Sequence, residues 1–332
     1  MTQRTKIGLA AFAAFVVLVV VWRTQSTSVA AIVSTGLFVG AFQYATPLTF
    51  GALGGLFSER SGVINIGLEG MMLMGCFWGV YISQVSGSWA IGLLGAMAAG
   101  GILAFIHAVL SIHLRANQVI SGTAVNILGL GITSYGTNAI FGSGGSGDVP
   151  RIPSVMHFLE EVPLIGEVIG GLNLMIYMAL VLVIASWWFL FRTTWGLRMR
   201  AVGEHPRAAD TVGIPVFRVR YIAVTFSGVL AGMGGAYLAF GLGSQFSENM
   251  TSGRGFIALA ALIFGNWKPW GLLAAALLFG FSQALGDALQ TIEHVNAFLV
   301  FNLPYLFTLI ALVGVIGRSR GPAAAGLPYA RQ

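Results

Sequence analysis

Charge is what this chain has least of. Asp, Glu, Lys and Arg make up 8% of its 332 residues, against about 25% of an average globular domain. That excludes an ordinary soluble globule, and a hydrophobic share of 56% excludes a disordered chain. Cysteine is nearly absent. Cys76 stands alone within an apolar run, so there is no disulfide within the chain and no thiolate metal cluster. No G-x-x-x-x-G-K-[ST] run occurs, so the chain has no phosphate loop of its own for ATP. Acids are scarce inside the apolar runs, where Glu69 is the exception. One carboxylate forms neither a catalytic dyad nor the multi-acid ion site expected of a self-sufficient secondary transporter.

What is present is a series of long apolar runs. They predict spans at 7–22, 30–52, 63–83, 89–112, 118–140, 171–191, 220–242, 254–267, 270–287 and 297–317, most of them near the 20 or so residues that cross a bilayer. The eighth is short. Continuous rather than alternating apolarity argues against a barrel. The start, "MTQRTKIGLAAFAAFVVLVVVW", imitates a signal peptide but is read as an uncleaved first helix. Alternating from an inside N-terminus puts Arg4, Lys6, Arg60, Arg115, the six arginines from Arg192 to Arg220, Lys268, Arg318, Arg320 and Arg331 inside. Only Arg23, Arg151 and Arg254 fall outside. Basic residues collect in cytoplasmic loops, so both ends are placed in the cytoplasm. Most acids, including Asp148, Glu160, Glu161, Glu167, Glu248, Asp287 and Glu293, fall outside. The expected fold class is an all-α polytopic membrane protein with about ten transmembrane helices. It forms a single domain over 1–332, with a cytoplasmic loop at 192–219 and an extracytoplasmic loop at 141–170.

"FSERSG" from Phe57 and "FSENMTSG" from Phe246 are alike, as are "WAIGLLGA" from Trp89 and "WGLLAA" from Trp270. Five expected spans separate the copies, so they point in opposite directions, as in transporters built from two inverted repeats. "SGVLAGMGGAY" (Ser227–Tyr237) has the small residues that let helix backbones touch. "GSGGSGD" (Gly142–Asp148) contains G-x-G-x-x-G and G-x-G-D. It lacks a strand–turn–helix setting, and no second deep aspartate exists for a protease dyad.

Charge concentrates in one place: eight charged residues lie among the 29 from Arg192 to Arg220. Within this segment "RAVGEHPRAADTVGI" reads as a short helix with marked ends. Pro206 suits the first turn, Glu204 favours the positive end of the dipole, and Gly213 followed by Pro215 stops it. So short a helix needs a surface to lie on. It is either a solvated turn between spans or a docking element.

Polar groups cluster early in two spans. Glu69, with Asn65 one helical turn before it, either walls a solute path or makes a structural contact with Arg60 or a neighbouring helix. Asn117, Gln118, Ser121, Thr123 and Asn126 open the fifth span and serve either as glue between helices or as path lining. Amides suit an uncharged, hydroxyl-rich solute. His107, mid-span, reads as packed rather than as a proton relay.

"TTWGLRMRAVGEHPRAADTVGIPVFRVRYIAVTFSGVLAGMGG", "GALGGLFSERSGVINIGLEGMMLMG", "RANQVISGTAVNIL" and "RGFIALAALIFGNWKPWG" together resemble permeases of ATP-binding-cassette importers. The family is that of branched-chain amino acid, simple sugar and nucleoside permeases. The resemblance runs from about Thr46 to Gly317 and is strongest to the shorter of two paired permease subunits in bacterial nucleoside uptake. It implies a type II importer fold in the plasma membrane and transport of a nucleoside, or alternatively a simple sugar, by alternating access. It implies a docking loop in which Gly203 gives a tight lead-in, Pro206, Arg207, Ala208, Ala209, Asp210 and Thr211 the helix, and Gly213 the exit, with Glu204 beside it. It implies a separate ATPase subunit holding ATP and Mg, a second permease subunit and an extracytoplasmic binding lipoprotein. No cofactor and no catalytic residue is expected in this chain.

Overall fold

The computed structural model describes residues 35–142, 145–154, 170–290 and 320–330. The expected spans at 7–22 and 297–317 lie outside the described residues. So do Arg4, Lys6, Arg23, Glu160, Glu161, Glu167, Glu293, Arg318 and Arg331.

Ten helices are described. They are α1 (Thr35–Arg60), α2 (Leu68–Ser86), α3 (Trp89–Ala108), α4 (Gln118–Gly136) and α5 (Leu174–Arg192). The short α6 (Thr194–Glu204) and α7 (Pro206–Thr211) follow, then α8 (Val216–Tyr237), α9 (Arg254–Phe264) and α10 (Pro269–Gln290). Helices α3, α4 and α8 each continue through one wider turn, at Val109–His113, Thr137–Phe141 and Leu238–Leu242. Five helical stretches are long and apolar enough to cross a membrane: Trp89–His113, Gln118–Phe141, Leu174–Arg192, Val216–Leu242 and Pro269–Gln290. The chain is therefore a polytopic helical membrane protein.

Contacts divide the chain into two units. The larger holds 46–153, 173–276 and 320–332. Its centre is α8, which packs on α3 and α2. Glycine makes this possible: a methyl at Gly228 would strike the carbonyl of Gly100, and one at Gly235 the carbonyl of Met72. "SGVLAGMGGAY" is thus a backbone-contact face, as its small residues suggest. Helix α2 meets α4 the same way, since a methyl on Gly129 would come within 2.8 Å of the Gly70 carbonyl oxygen. The smaller unit holds 1–45, 154–172 and 277–319. Within it Gly280 lets α10 close on Ala41 and Ala45, and Tyr44 donates to Asp287 Oδ2 at 2.5 Å.

Three boundaries differ from the sequence reading. The second span was expected to end at residue 52, but α1 continues to Arg60. The third span was expected from residue 63, but α2 begins at Leu68 and Val63–Gly67 is not helical. Asn65 and Glu69 therefore do not share a helical face. The short eighth span is α9, whose 11 residues rise only about 16 Å, half a hydrocarbon core.

The long-range bonds form two groups. Arg60 bonds to Trp267, Arg220 to Ser61, Glu204 to Ala323 and Asn266 to Arg320. Gln84 bonds to Gly147, Ser146 to Phe246 and Ser134 to Glu248.

Candidate functional site

Two places carry the polar chemistry of the larger unit. The first surrounds the non-helical segment Val63–Gly67, which lies between α1 and α2. Helix backbone satisfies itself, but a non-helical segment deep in an apolar protein must find partners elsewhere. Here neighbouring side chains supply them. The Ile64 amide donates to Gln118 Oε1 at 2.7 Å, and the Ile64 carbonyl accepts from His107 Nε2 at 3.0 Å. A carbonyl only accepts, so Nε2 carries the proton and Nδ1 faces the Ser121 hydroxyl at 2.9 Å. Asn126 works twice. Its Nδ2 donates to the Ile66 carbonyl at 3.0 Å, and its Oδ1 accepts from the Gly70 amide at 2.8 Å. Asn65 accepts from the Gly67 amide and donates to Ser227 Oγ at 2.9 Å. Ser58 receives the Val63 amide on its carbonyl and donates its hydroxyl to the Val63 carbonyl.

Asn65, Gln118, Ser121 and His107 are all buried. Four of the six candidate path residues, Asn65, Gln118, Ser121 and Asn126, thus belong to one hydrogen-bonded knot. Asn117 does not join it. Its Oδ1 caps α4 by accepting from the Val119 and Ile120 amides.

Glu69 has its own role. Its two oxygens accept from the amides of Gly253 at 2.7 Å and Gly255 at 2.6 Å. These are orphan donors at the start of α9, where a carboxylate also opposes the helix dipole. Gly255 is obligatory, because its missing side chain would meet Glu69 Cα at 2.5 Å. Of the two structural partners expected for Glu69, Arg60 or a neighbouring helix, the contact is with the neighbouring helix α9. Arg60 instead donates through Nη2 to the Trp267 carbonyl at 2.6 Å, and Glu59 accepts from Trp267 Nε1 at 2.5 Å.

The second place is the loop from Arg192 to Arg220. Thr193 caps α6, accepting from the Gly196 amide, and α7 follows after His205. Pro206 opens α7. Its exit is a double closure: the Ile214 amide donates to the Ala209 carbonyl at 3.0 Å and the Gly213 amide to the Asp210 carbonyl at 2.9 Å. Gly213 supplies the left-handed turn, φ +82°. Ala209 faces inward and is buried, Asp210 is half-buried, and Arg207, Ala208 and Thr211 are exposed. Val212, at the tip, is 75% exposed.

Two residues here differ from expectation. Gly203 does not lead into α7. It lies in the last turn of α6, where a side chain would strike the Arg60 carbonyl. Glu204 ends α6 rather than starting α7, and its carboxylate accepts from the Ala323 amide at 3.2 Å.

Sequence reading missed Ser58, Ser227, Arg220 and Trp267. Nothing local marks Ser227 as the partner of Asn65, 162 residues away, whereas Ser58 bonds to Val63 only five residues on. Arg220 carried a signal, because an arginine one turn into an apolar helix demands partners. Among the described residues no group of His, Cys, Asp and Glu could hold a metal.

An all-helical membrane chain with backbone-bonded polar groups and a capped helix on a charged loop defines the membrane subunit of a transport system. The chain belongs to the family described as branched-chain amino acid transport system / permease component, whose model matches residues 37–316. It is 44% identical over 302 residues to the guanosine ABC transporter permease protein NupQ of Bacillus subtilis, covering 86% of this chain and 93% of that one. It is 36% identical over 305 residues to the nucleoside ABC transporter permease protein NupC of Lactococcus lactis, covering 86% and 94%. It is 42% identical over 258 residues to the putative glucose ABC transporter permease protein TsgC13 of Haloferax volcanii, covering 76% and 77%. No solved structure matches the chain.

Proposed function

We propose that this chain is the permease subunit of an ATP-driven nucleoside importer in the plasma membrane. The supporting observation is α7, a helix of six residues opened by Pro206, closed at its exit by Gly213 and Ile214, and exposed on Arg207, Ala208 and Thr211. A surface turn without a partner has no need of such a closure. On this reading a separate ATPase subunit, carrying ATP and Mg, receives α7. A second permease subunit completes the pore, and a lipoprotein delivers the solute from outside. The membrane core has ten spans and two inverted repeats, with both ends cytoplasmic.

Solute moves by alternating access. Glu69 and Asn126, each half-buried, are the wall of the route. Asn65, Gln118 and Ser121 hold that wall from behind, and Asn117 fixes the start of α4. Because Glu69 already neutralises the start of α9, the wall offers neither an uncompensated helix dipole nor an unpaired charge. Such a wall suits a neutral nucleoside. The likeness to NupQ and NupC covers 86% of this chain, against 76% for the putative glucose permease protein TsgC13, and favours nucleosides over glucose.

The test is uptake of tritiated guanosine, uridine and glucose by the reconstituted complex with its ATPase and binding protein. ATP-dependent nucleoside uptake that excess glucose does not reduce supports the reading. Uptake of glucose alone replaces the substrate, and uptake without the ATPase overturns the importer.

A further inference from the structure

The C-terminal segment Arg320–Ala330 does not hang free. The Ala324 amide donates to the Gly203 carbonyl at 2.9 Å and the Ala323 amide to Glu204 Oε2. The Arg320 amide donates to Asn266 Oδ1 at 3.2 Å, and Gly321 lies against the Trp267 ring. Tyr329 is buried, with its ring 5.4 Å from that of Phe217. One short piece of chain thus reaches the end of α6, the start of α8 and the turn after α9.

At its centre is Arg220, 1% exposed and the largest fully buried side chain. Its hydrogen bonds go to backbone carbonyls. Nε donates to Ser61 at 3.2 Å, Nη1 to Leu327 at 3.4 Å, and the guanidinium lies 5.9 Å from the Tyr329 ring centre. Nη2 is buried without a hydrogen-bond partner and sits where a side chain on Gly62 would go. A buried cation held only by dipoles and a ring is costly, and a methionine would fill the same space more cheaply. Its placement gives the reason. Ser61 and Gly62 lead directly into the non-helical Val63–Gly67 segment, whereas Leu327 and Tyr329 belong to the C-terminal segment that grips the end of α6. Gly203 adds a second link, with its α-carbon packed on the Arg60 carbonyl.

We propose that Arg220 and the C-terminal segment form a coupling strap. It fixes the end of α6, which leads into the docking helix α7, to the non-helical segment, so that a push on α7 moves Val63–Gly67. Arg220 is a positioning residue here, acting through Ser61. The inference rests on α7 being the docking element.

The experiment uses the complete complex in proteoliposomes and measures tritiated guanosine imported per ATP hydrolysed. Variants are truncation after Ser319, Tyr329→Ala, Arg220→Met and Arg220→Lys, with Ala209→Pro as the control for docking. Coupling between distant sites commonly amounts to about 5–150-fold. The truncated and Tyr329→Ala complexes are expected to retain the ATPase subunit and still hydrolyse ATP, with import per ATP down about tenfold. Arg220→Lys should recover part of the ratio that Arg220→Met loses, because an ammonium still reaches one carbonyl but cannot span two and a ring. If Arg220→Met does not fold, the truncation and Tyr329→Ala decide, since both leave α6, α8 and the Arg220 bond to Ser61 in place. A wild-type ratio in those two overturns the strap, and so does loss of the ATPase subunit from them. Normal transport by Ala209→Pro overturns the docking reading instead.

Discussion

The docking loop and the knot around Val63–Gly67 both depart from plain membrane helix, and they are held in opposite ways. Helix α7 is closed by its own neighbours. His205, Asp210, Gly213 and Ile214 lie within ten residues and make its terminal bonds. The knot is closed by residues far apart in the chain, with His107, Gln118 and Asn126 each contributing a side chain to one non-helical segment. The difference teaches where failure goes. Damage to a locally closed element stays local, whereas damage to the knot strands buried backbone groups and reaches the whole fold.

Asn126→Ala tests the knot at its most loaded point and should have the largest effect. It strands the Gly70 amide and the Ile66 carbonyl together, and each buried orphan costs about 1–3 kcal/mol. The purified complex should melt well below wild type, and yield should fall. A wild-type melting curve would mean that the knot contributes nothing to stability.

Glu69→Gln comes next. Two amides share one carboxylate, and an amide oxygen can serve only one of them well. About 2 kcal/mol should be lost at the start of α9, and guanosine uptake should fall with the complex still assembled. Co-purification with the second permease, set beside uptake, separates a path residue from one that merely holds the fold together.

Gly213→Ala is smaller again. An alanine at φ +82° is strained by about 1–2 kcal/mol, and the strain is confined to the exit of α7. Uptake should drop with no change in melting temperature. A lower melting temperature would show that the loop is not local at all.

Arg207→Glu should leave stability within about 0.5 kcal/mol, as surface changes do. Retention of the ATPase subunit should weaken, most at low ionic strength, where exposed charges are least screened. Equal retention at low and high salt would remove Arg207 from the docking face.

The same contrast explains what the sequence made legible. Pro206, Gly213 and Pro215 announce a bounded helix because capping is a matter of adjacent residues, and α7 runs where they say. Apolar runs placed the long helices for the same reason. Asn65, Gln118, Ser121 and Asn126 were legible as residues needing partners, but not as partners of one segment. That segment looked like the start of a helix, since Val63, Ile64 and Ile66 continue the apolar run of α2. Its unwinding depends on His107 and Asn126 arriving from α3 and α4, which no window of sequence contains. Gly203 misled because a glycine beside a helix end fits a turn as well as it fits a close approach.

The most direct test of the account is Ala209→Pro in the reconstituted complex. Proline removes the Ala209 amide bond to the His205 carbonyl and clashes with the preceding turn, which costs about 3 kcal/mol or more. A helix of six residues has no length to absorb it. Guanosine uptake and melting temperature are measured together. The account predicts uptake near background with the wild-type melting temperature. Wild-type uptake with the ATPase subunit still bound would contradict it.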